Sequence, residues 1–171
     1  SSLLEGGEKI PEGHYQDEKM KSTVVPFRNG IMLAIACGLA ESNGFTKVMI
    51  ANHSGDHAIY PDCRATFINS MSEAMSYGTY NRVKIDAPYT GMSKTDIARL
   101  GKYMGIDYSE TWSCYKGGEH HCGKCGTKHV VAIFIIARIC VDFLNKSVAH
   151  GKNGVFLYFF FSLSAFFSKN T

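Results

Sequence analysis

The first clear hydrophobic pattern along the chain is helical and follows a polar segment of about 25 residues. Apolar residues recur at Ile31, Met32, Ile35, Ala36 and Leu39. This spacing predicts a helix whose apolar face packs against a sheet. Asn29 is its predicted cap, and Asn43-Gly44 supplies a left-handed stop.

A short, nearly continuous apolar run follows at residues 47–51, and a similar run lies at residues 83–87. Runs of this length, rich in β-branched residues, are typical of strands covered on both faces. We therefore predict that residues 47–51 form a central strand and residues 83–87 a second strand.

Two further helices are predicted around the second strand. In residues 64–77, the apolar positions with helical spacing are Phe67, Met71, Ala74 and Met75. Ser93 and Asp96 have the spacing of a capping box, and Gly105 marks the end of that helix. The alternation of helix and strand predicts an α/β fold with a parallel sheet.

The character of the chain changes near residue 130. Residues 130–137 are all apolar, and residues 155–167 are mostly Phe, Leu and Val. Both runs are shorter than the roughly 20 residues that span a bilayer, so no membrane span is expected. We predict one domain at 1–129 and an atypical apolar tail at 130–171.

Composition narrows the choice of partners. Of the 171 residues, 45% are hydrophobic and 19% charged, which suits one ordinary globular core. A net charge of +3 from scattered basic residues does not indicate a nucleic-acid groove. No secretory leader opens the sequence, which favours a cytoplasmic location.

The densest polar cluster follows the first predicted strand. It comprises residues 53–57, His-Ser-Gly-Asp-His, and residues 60–64, Tyr-Pro-Asp-Cys-Arg. Open α/β sheets bind their ligands at the carboxyl ends of strands, and this mixture of groups can exchange protons and bind carboxylates. The alternative is a solvated loop in which the Asp62 carboxylate interacts favourably with the dipole at the start of the following helix.

Three of the six cysteines lie close together and suggest a metal. Cys114, Cys122 and Cys125 could supply three thiolates to zinc. The next two-residue step reaches Lys128 instead of a fourth cysteine. The candidate substitutes for that ligand are His120, His121 and His129. Free thiols are the alternative.

Two basic residues are candidate anion ligands. Arg28 lies at a predicted helix start, where unpaired N–H groups attract anions. Lys94 lies at the start of the third helix. Taken alone, each is more often a solvated surface residue.

Several strings in order give the chain a specific resemblance. They are Ile10-Pro11-Glu12-Gly13-His14-Tyr15, Val24-Val25-Pro26-Phe27-Arg28-Asn29-Gly30, His53-Ser54-Gly55-Asp56-His57, Tyr60-Pro61-Asp62-Cys63-Arg64 and Cys122-Gly123-Lys124-Cys125-Gly126-Thr127. Together they resemble the 7-cyano-7-deazaguanine synthase family over about three quarters of the chain.

The resemblance implies an adenine nucleotide alpha hydrolase-like fold and a zinc held by four cysteines. It also implies a reaction in which ATP, with magnesium, activates the carboxylate of 7-carboxy-7-deazaguanine. Ammonia then gives an amide, and further ATP-driven activation dehydrates the amide to a nitrile for queuosine biosynthesis. The implied partners are these small molecules, with no direct nucleic acid and no membrane, and a homodimer is the candidate assembly.

Carried over to this sequence, the resemblance assigns a role to each candidate residue. The catalytic candidates are His53, Asp56, His57 and Arg64; the substrate-binding candidates are Tyr60, Asp62 and Arg64; the nucleotide-binding candidates are Arg28, Asn29 and Lys94; and the zinc candidates are Cys114, Cys122 and Cys125.

One departure from the family bears on activity. The family opens with a strand and a Ser-Gly-Gly-x-Asp-Ser phosphate loop, and this string does not occur in these residues. We therefore expect no ATP turnover without that region. The alternatives are a truncated, non-catalytic homologue that binds zinc or purine, and another ATP-dependent enzyme of the superfamily, such as a tRNA-thiolating enzyme.

Overall fold

The fold centres on a small parallel sheet. The structure is a computed structural model that describes residues 18–108, residue 114 and residues 155–157. The strands are β1 (Lys47–Met49), β2 (Lys84–Asp86) and β3 (Val155–Leu157), in the order β2-β1-β3. Val48 pairs with Ile85 on one side and with Phe156 on the other. The predicted α/β class and the central place of the first strand are confirmed.

Three helices accompany the sheet within the described residues. They are α1 (Arg28–Ser42), α2 (Ala65–Tyr77) and α3 (Lys94–Tyr103). Short 3-10 turns occupy Glu18–Thr23, Ser54–Asp56 and Pro61–Cys63. All three predicted helices are therefore present, with bounds close to the predicted ones.

The buried face of α1 differs from the prediction. Leu33, Ala36, Cys37 and Ala40 are the apolar residues that α1 buries. Ile31, Ile35 and Leu39 lie on the opposite side and are about half exposed. The predicted face was thus wrong at Ile31, Ile35 and Leu39, whereas Ala36 is buried and Met32 is partly buried. The helix carries two apolar stripes, and the one with small residues allows the closer approach to the sheet.

The predicted cap of α1 was also wrong. Asn29 lies inside the helix, and the capping position belongs to Phe27, whose backbone is left-handed with φ 55°. The Phe27 ring folds over Gly30, where a Cβ would lie only 2.4 Å from ring carbons. The predicted stop is confirmed, since the helix ends at Ser42 and Gly44 has φ +74°.

The main core lies between the sheet, α1 and α2. Its buried members are Leu33, Ala36, Cys37, Ala40, Val48, Ile50, Ile68, Met75 and Val83. Phe67 and Met71 pack against this core as predicted, whereas Ala74 is exposed and Ile68 takes the central position on α2. Burial of these side chains is the main stabilising contribution in this part of the chain.

The start of α3 agrees with its sequence signature. The Ser93 hydroxyl accepts from the Asp96 N–H, and the Asp96 carboxylate accepts from the Ser93 N–H, both at 3.2 Å. Gly105, with φ +77°, follows the end of the helix. This capping box fixes the direction of the first turn, which carries Lys94.

The predicted apolar tail contains a strand. β3 lies within residues 130–171, where no strand was predicted from the sequence. The stretch Lys21–Ser42 is long and apolar enough to cross a membrane by composition, with a mean hydropathy of 1.5. Its α1 segment buries Leu33 and Ala36 in the main core, which is the behaviour of a core helix.

Candidate functional site

The candidate site lies at the carboxyl ends of β1 and β2, where two loops meet. Because the strands are parallel, the loop after β1 and the loop after β2 emerge at the same edge. The backbone N–H and the hydroxyl of Ser54 both donate to the Met92 carbonyl, at 3.0 and 2.8 Å. These bonds join the predicted polar cluster to the segment that opens α3.

A buried asparagine makes a second connection between the loops. Asn52 is 3% exposed, and its Nδ2 donates to the Cys63 carbonyl at 2.7 Å. Its Oδ1 accepts from the Thr90 hydroxyl at 3.2 Å. One side chain therefore connects both ends of the first loop to the second loop.

His53 is held by two contacts, one at each ring nitrogen. Nδ1 accepts from the Gly55 N–H at 3.1 Å, and Nε2 lies 3.2 Å from Asp56 Oδ2. An acceptor at Nδ1 leaves the hydrogen of the neutral ring on Nε2, which donates to Asp56. Burial lowers the pKa of His53 to about 4, although Asp56 partly offsets that effect.

Lys94 comes from α3 into the same cluster. Its Cε would lie 3.8 Å from a Cβ built on Gly55, so the lysine stem passes beside the loop. Burial lowers the pKa of Lys94 to about 8, while the Asp56 carboxylate acts in the opposite direction. The third helix thus supplies a cation beside the His53–Asp56 pair.

Asp62 has a partner that the sequence did not reveal. Its Oδ2 accepts from the Asn29 backbone N–H at 2.8 Å, at the first turn of α1. In the solvated-loop alternative, the Asp62 carboxylate favours the start of the following helix, α2. The structure instead shows this carboxylate in contact with the start of the preceding helix, α1. An anion held by Asn29 N–H, as predicted for phosphate, would have to displace this carboxylate.

Cys63 lies between these groups as a buried thiol. It is 6% exposed, and its Sγ accepts from Asn29 Nδ2 at 3.1 Å. Burial raises the pKa of the Cys63 thiol, with further increases from Asp56 and Asp62. The group is therefore protonated at neutral pH and is not an activated nucleophile.

The remaining candidates of this loop have distinct surroundings. The Tyr60 hydroxyl lies 2.7 Å from the Thr23 hydroxyl and the residue is 8% exposed, which suits a packing role. The exposed Arg64 donates from Nε to the His57 carbonyl at 2.9 Å. His57 Nε2 is buried and has no hydrogen-bond partner within residues 18–108 and the other described positions. Such an atom is commonly satisfied by a ligand or by water.

The predicted zinc site falls mostly outside the described residues. Cys114 is described and is 4% exposed, whereas Cys122 and Cys125 lie outside the described part of the chain. Among the residues that are described, no group of three His, Cys, Asp or Glu side chains could hold a metal. The zinc assignment therefore stays a prediction.

Comparison with known proteins identifies the family. A family model described as queuosine biosynthesis protein QueC matches residues 1–130. The chain belongs to this family. The match covers both loops of the candidate site, together with α1, α2 and α3.

Curated relatives of this QueC family member carry one name. A 7-cyano-7-deazaguanine synthase of Porphyromonas gingivalis is 68% identical over 127 residues, which are 74% of this chain and 58% of the relative. One of Desulfotalea psychrophila is 58% identical over 125 residues, 73% of this chain and 57% of the relative. One of Psychromonas ingrahamii is 43% identical over 158 residues, 92% of this chain and 66% of the relative. The chain thus spans less than two thirds of the length of these relatives.

In this QueC family chain, sequence reasoning missed two residues of the site. Asn52 is not among the predicted candidates, and Cys63 has no predicted role beyond its membership of the polar cluster. Their partners lie 11 to 38 positions away along the chain. The available signal was a polar residue directly after a buried strand, which marks Asn52 as a group that needs a buried partner.

Proposed function

We propose that this chain carries the deazapurine-binding part of an ATP-dependent ligase that converts 7-carboxy-7-deazaguanine and ammonia to 7-cyano-7-deazaguanine. The observation that carries the proposal is the junction of the two loops, which assembles His53, Asp56 and Lys94 at the carboxyl edge of the sheet. The name shared by the relatives supports the same substrate class.

The chemistry needs activation because a carboxylate oxygen is a poor leaving group. Transfer of a phosphoryl or adenylyl group from ATP converts it into a good one, and ammonia then displaces that group to give the amide. A second transfer from ATP activates the amide oxygen. That oxygen then leaves with the transferred phosphoryl or adenylyl group as nitrogen loses two protons, which gives the nitrile. Cationic side chains stabilise the charge that develops in such transfers.

In this proposal, Lys94 and Arg28 bind the nucleotide phosphates. Lys94 lies beside the Asp56 carboxylate, so an arriving polyphosphate would compete with that carboxylate for the ammonium group. Magnesium accompanying ATP would reduce the repulsion between the phosphates and Asp56. Zinc bound by Cys114, Cys122 and Cys125 would stabilise the loop that contains them.

Arg64 and Asp62 are the proposed ligands of the deazapurine. The Arg64 guanidinium is anchored through Nε to the His57 carbonyl, so its terminal nitrogens are directed by the loop itself. A guanidinium is well suited to pair with the substrate carboxylate. Asp62 Oδ2 already accepts from Asn29, so a contact with the purine edge would use the rest of the carboxylate.

The cellular setting belongs to the same proposal. Cys37 and Cys63 form no disulfide within the described part of the chain, which suits a reducing cytoplasm. A homodimer and the division at residue 130 stay predictions. The thiolation alternative has no support from the relatives, which are named as synthases of the deazapurine nitrile.

Isothermal calorimetry of the chain with 7-carboxy-7-deazaguanine tests the proposal. We expect saturable heat, and we expect Arg64→Ala to weaken the affinity about 10-fold or more, since a charge-assisted pair is lost. Arg99→Ala is the matched control, because Arg99 is exposed and its ion pair within the described residues is with Asp96, at 3.4 Å. Equal affinity in both variants, or no heat with the folded protein, would refute the proposal.

A further inference from the structure

The arrangement around His53 restricts what this histidine can do in the reaction. We infer that His53 is a positioning residue that holds the Asp56 carboxylate beside Lys94, and that its ring keeps a single hydrogen, on Nε2. The inference rests on the proposed function for its role in catalysis. The contacts of His53 and the position of its ring hydrogen are properties of the chain without ligand.

The first step is the occupancy of both ring nitrogens. The Gly55 N–H points at Nδ1 from 3.1 Å, and Asp56 Oδ2 faces Nε2 at 3.2 Å. A second ring hydrogen would have to sit on Nδ1, directly against the hydrogen of Gly55 N–H. Protonation would therefore break a bond that shapes the loop, in contrast to the usual histidine that exchanges protons with solvent.

The second step is the lack of room for the ring to turn. A Cβ on Gly55 would lie 3.1 Å from both Cε1 and Nδ1 of His53, so the backbone already packs closely on the ring. The residue is only 3% exposed. A ring so enclosed cannot rotate to present a proton to substrate without disrupting residues 53–56.

The third step is the balance of charges around the ring. Asp56 favours the imidazolium, whereas burial, Lys94 and His57 all oppose it, and burial is the largest of these effects. The net result is the low pKa of His53, at about 4. Burial lowers the pKa of the neighbouring Lys94 to about 8, so this ammonium group is better placed than the His53 ring to exchange protons near neutral pH.

What His53 does instead is to orient Asp56. The pair is three positions apart in one 3-10 turn, and the side chain of Asp56 is 15% exposed. The Asp56 carboxylate raises the pKa of Lys94 against the effect of burial. Loss of the Nε2–H donor would let the carboxylate move and would remove part of that support from Lys94.

Two substitutions distinguish the contribution of Nε2 from that of Nδ1. His53→Gln can keep an N–H donor near the Nε2 position and so retain the bond to Asp56. His53→Asn can keep an acceptor near the Nδ1 position and so retain the bond to Gly55. Asp56→Asn provides the reference in which the charge beside Lys94 is lost altogether.

Nuclear magnetic resonance on the full chain without ligand gives the decisive signals. We expect the His53 ring to show a bare Nδ1 and a protonated Nε2, with no titration between about pH 8 and about pH 5. The Lys94 pKa should be unchanged in His53→Gln and should fall in His53→Asn toward its value in Asp56→Asn. Chemical-shift dispersion like that of the wild type shows which variants are folded. The protonation of the His53 ring is measured on the wild-type protein, so this part of the test does not depend on any variant folding.

Three results would overturn the inference: a His53 ring that titrates near neutral pH, a hydrogen on Nδ1, or a Lys94 pKa that stays at the wild-type value in His53→Asn. Because these signals are read without ligand, they are independent of the calorimetric experiment with 7-carboxy-7-deazaguanine. Failure of that experiment would remove the proposed function and leave the assignment of His53 intact.

Discussion

The core packed around β1 and the polar loop that follows β1 illustrate different relations between sequence and structure. The core around Val48 is built from interchangeable apolar side chains, and its stability depends on how much surface they bury. The loop after β1 buries polar groups, including Asn52 and His53, and each has specific hydrogen-bond partners. Loss of a core side chain should therefore lower stability in general, whereas loss of a loop partner should alter the site more than the fold.

Leu33→Ala should have the largest effect and should act on stability alone. Leu33 is fully buried in the main core, so its truncation should cost about 2–5 kcal/mol in the free energy of unfolding. Ile35→Ala on the same helix is the control, since Ile35 is 54% exposed and should change stability by about 0.5 kcal/mol or less. Urea denaturation measures both. Equal losses would show that the exposed stripe is covered and that the two faces of α1 are not distinct.

Lowering the pH should destabilise the protein through His53. Its folded pKa, about 4, lies below the unfolded value of 6.5, so the unfolded state binds more protons between these values. Above about pH 6.5 both states are neutral, and stability should fall as the pH drops toward 4, by at most about 3 kcal/mol. Comparison of wild type with His53→Gln in urea melts across this range isolates the effect. Parallel pH dependence in the two proteins would contradict it.

Asn52→Ala should lower substrate affinity more than loss of a core side chain does. It removes one buried donor and one acceptor that connect the two loops, so a stability loss of about 1–3 kcal/mol is expected. The affinity for the deazapurine should fall further than in Leu33→Ala, when both are measured under conditions where the proteins are folded. Asn69→Ala, an exposed asparagine on α2, is the control and should leave affinity unchanged.

Ser93→Ala should have the smallest effect. It removes the hydroxyl that caps α3, which should cost about 1 kcal/mol of stability. Ser70→Ala at an exposed position on α2 is the control and should be nearly neutral. Thermal melts monitored by circular dichroism compare the two. A Ser93→Ala protein as stable as the control would show that the capping box does not stabilise α3.

The sequence predicted the local structure of this chain well. The stop at Gly44 and the capping box of Ser93 follow from interactions within a few residues of each other, and the central strand has a local signal in its short apolar run. The buried face of α1 could not be chosen, because apolar residues line two sides of the helix. Periodicity identifies an apolar stripe but does not rank two of them.

The sequence predicted which residues form the polar cluster after β1, but not which partners they contact. The polar cluster after β1 was located correctly, since it follows a buried strand. The contact of Asp62 with Asn29 spans 33 positions, and that of Ser54 with Met92 spans 38. Pairs so distant along the chain leave no periodic signal, so the exact partners had to come from the fold.

Amide chemical-shift mapping with 7-carboxy-7-deazaguanine tests the central claim most directly. If the two joined loops form the substrate site, the shifts on addition of the acid should concentrate in residues 52–64 and 87–94, with little change at the exposed face of α1. Saturable shifts confined to other regions, or none in the folded chain, would contradict the account.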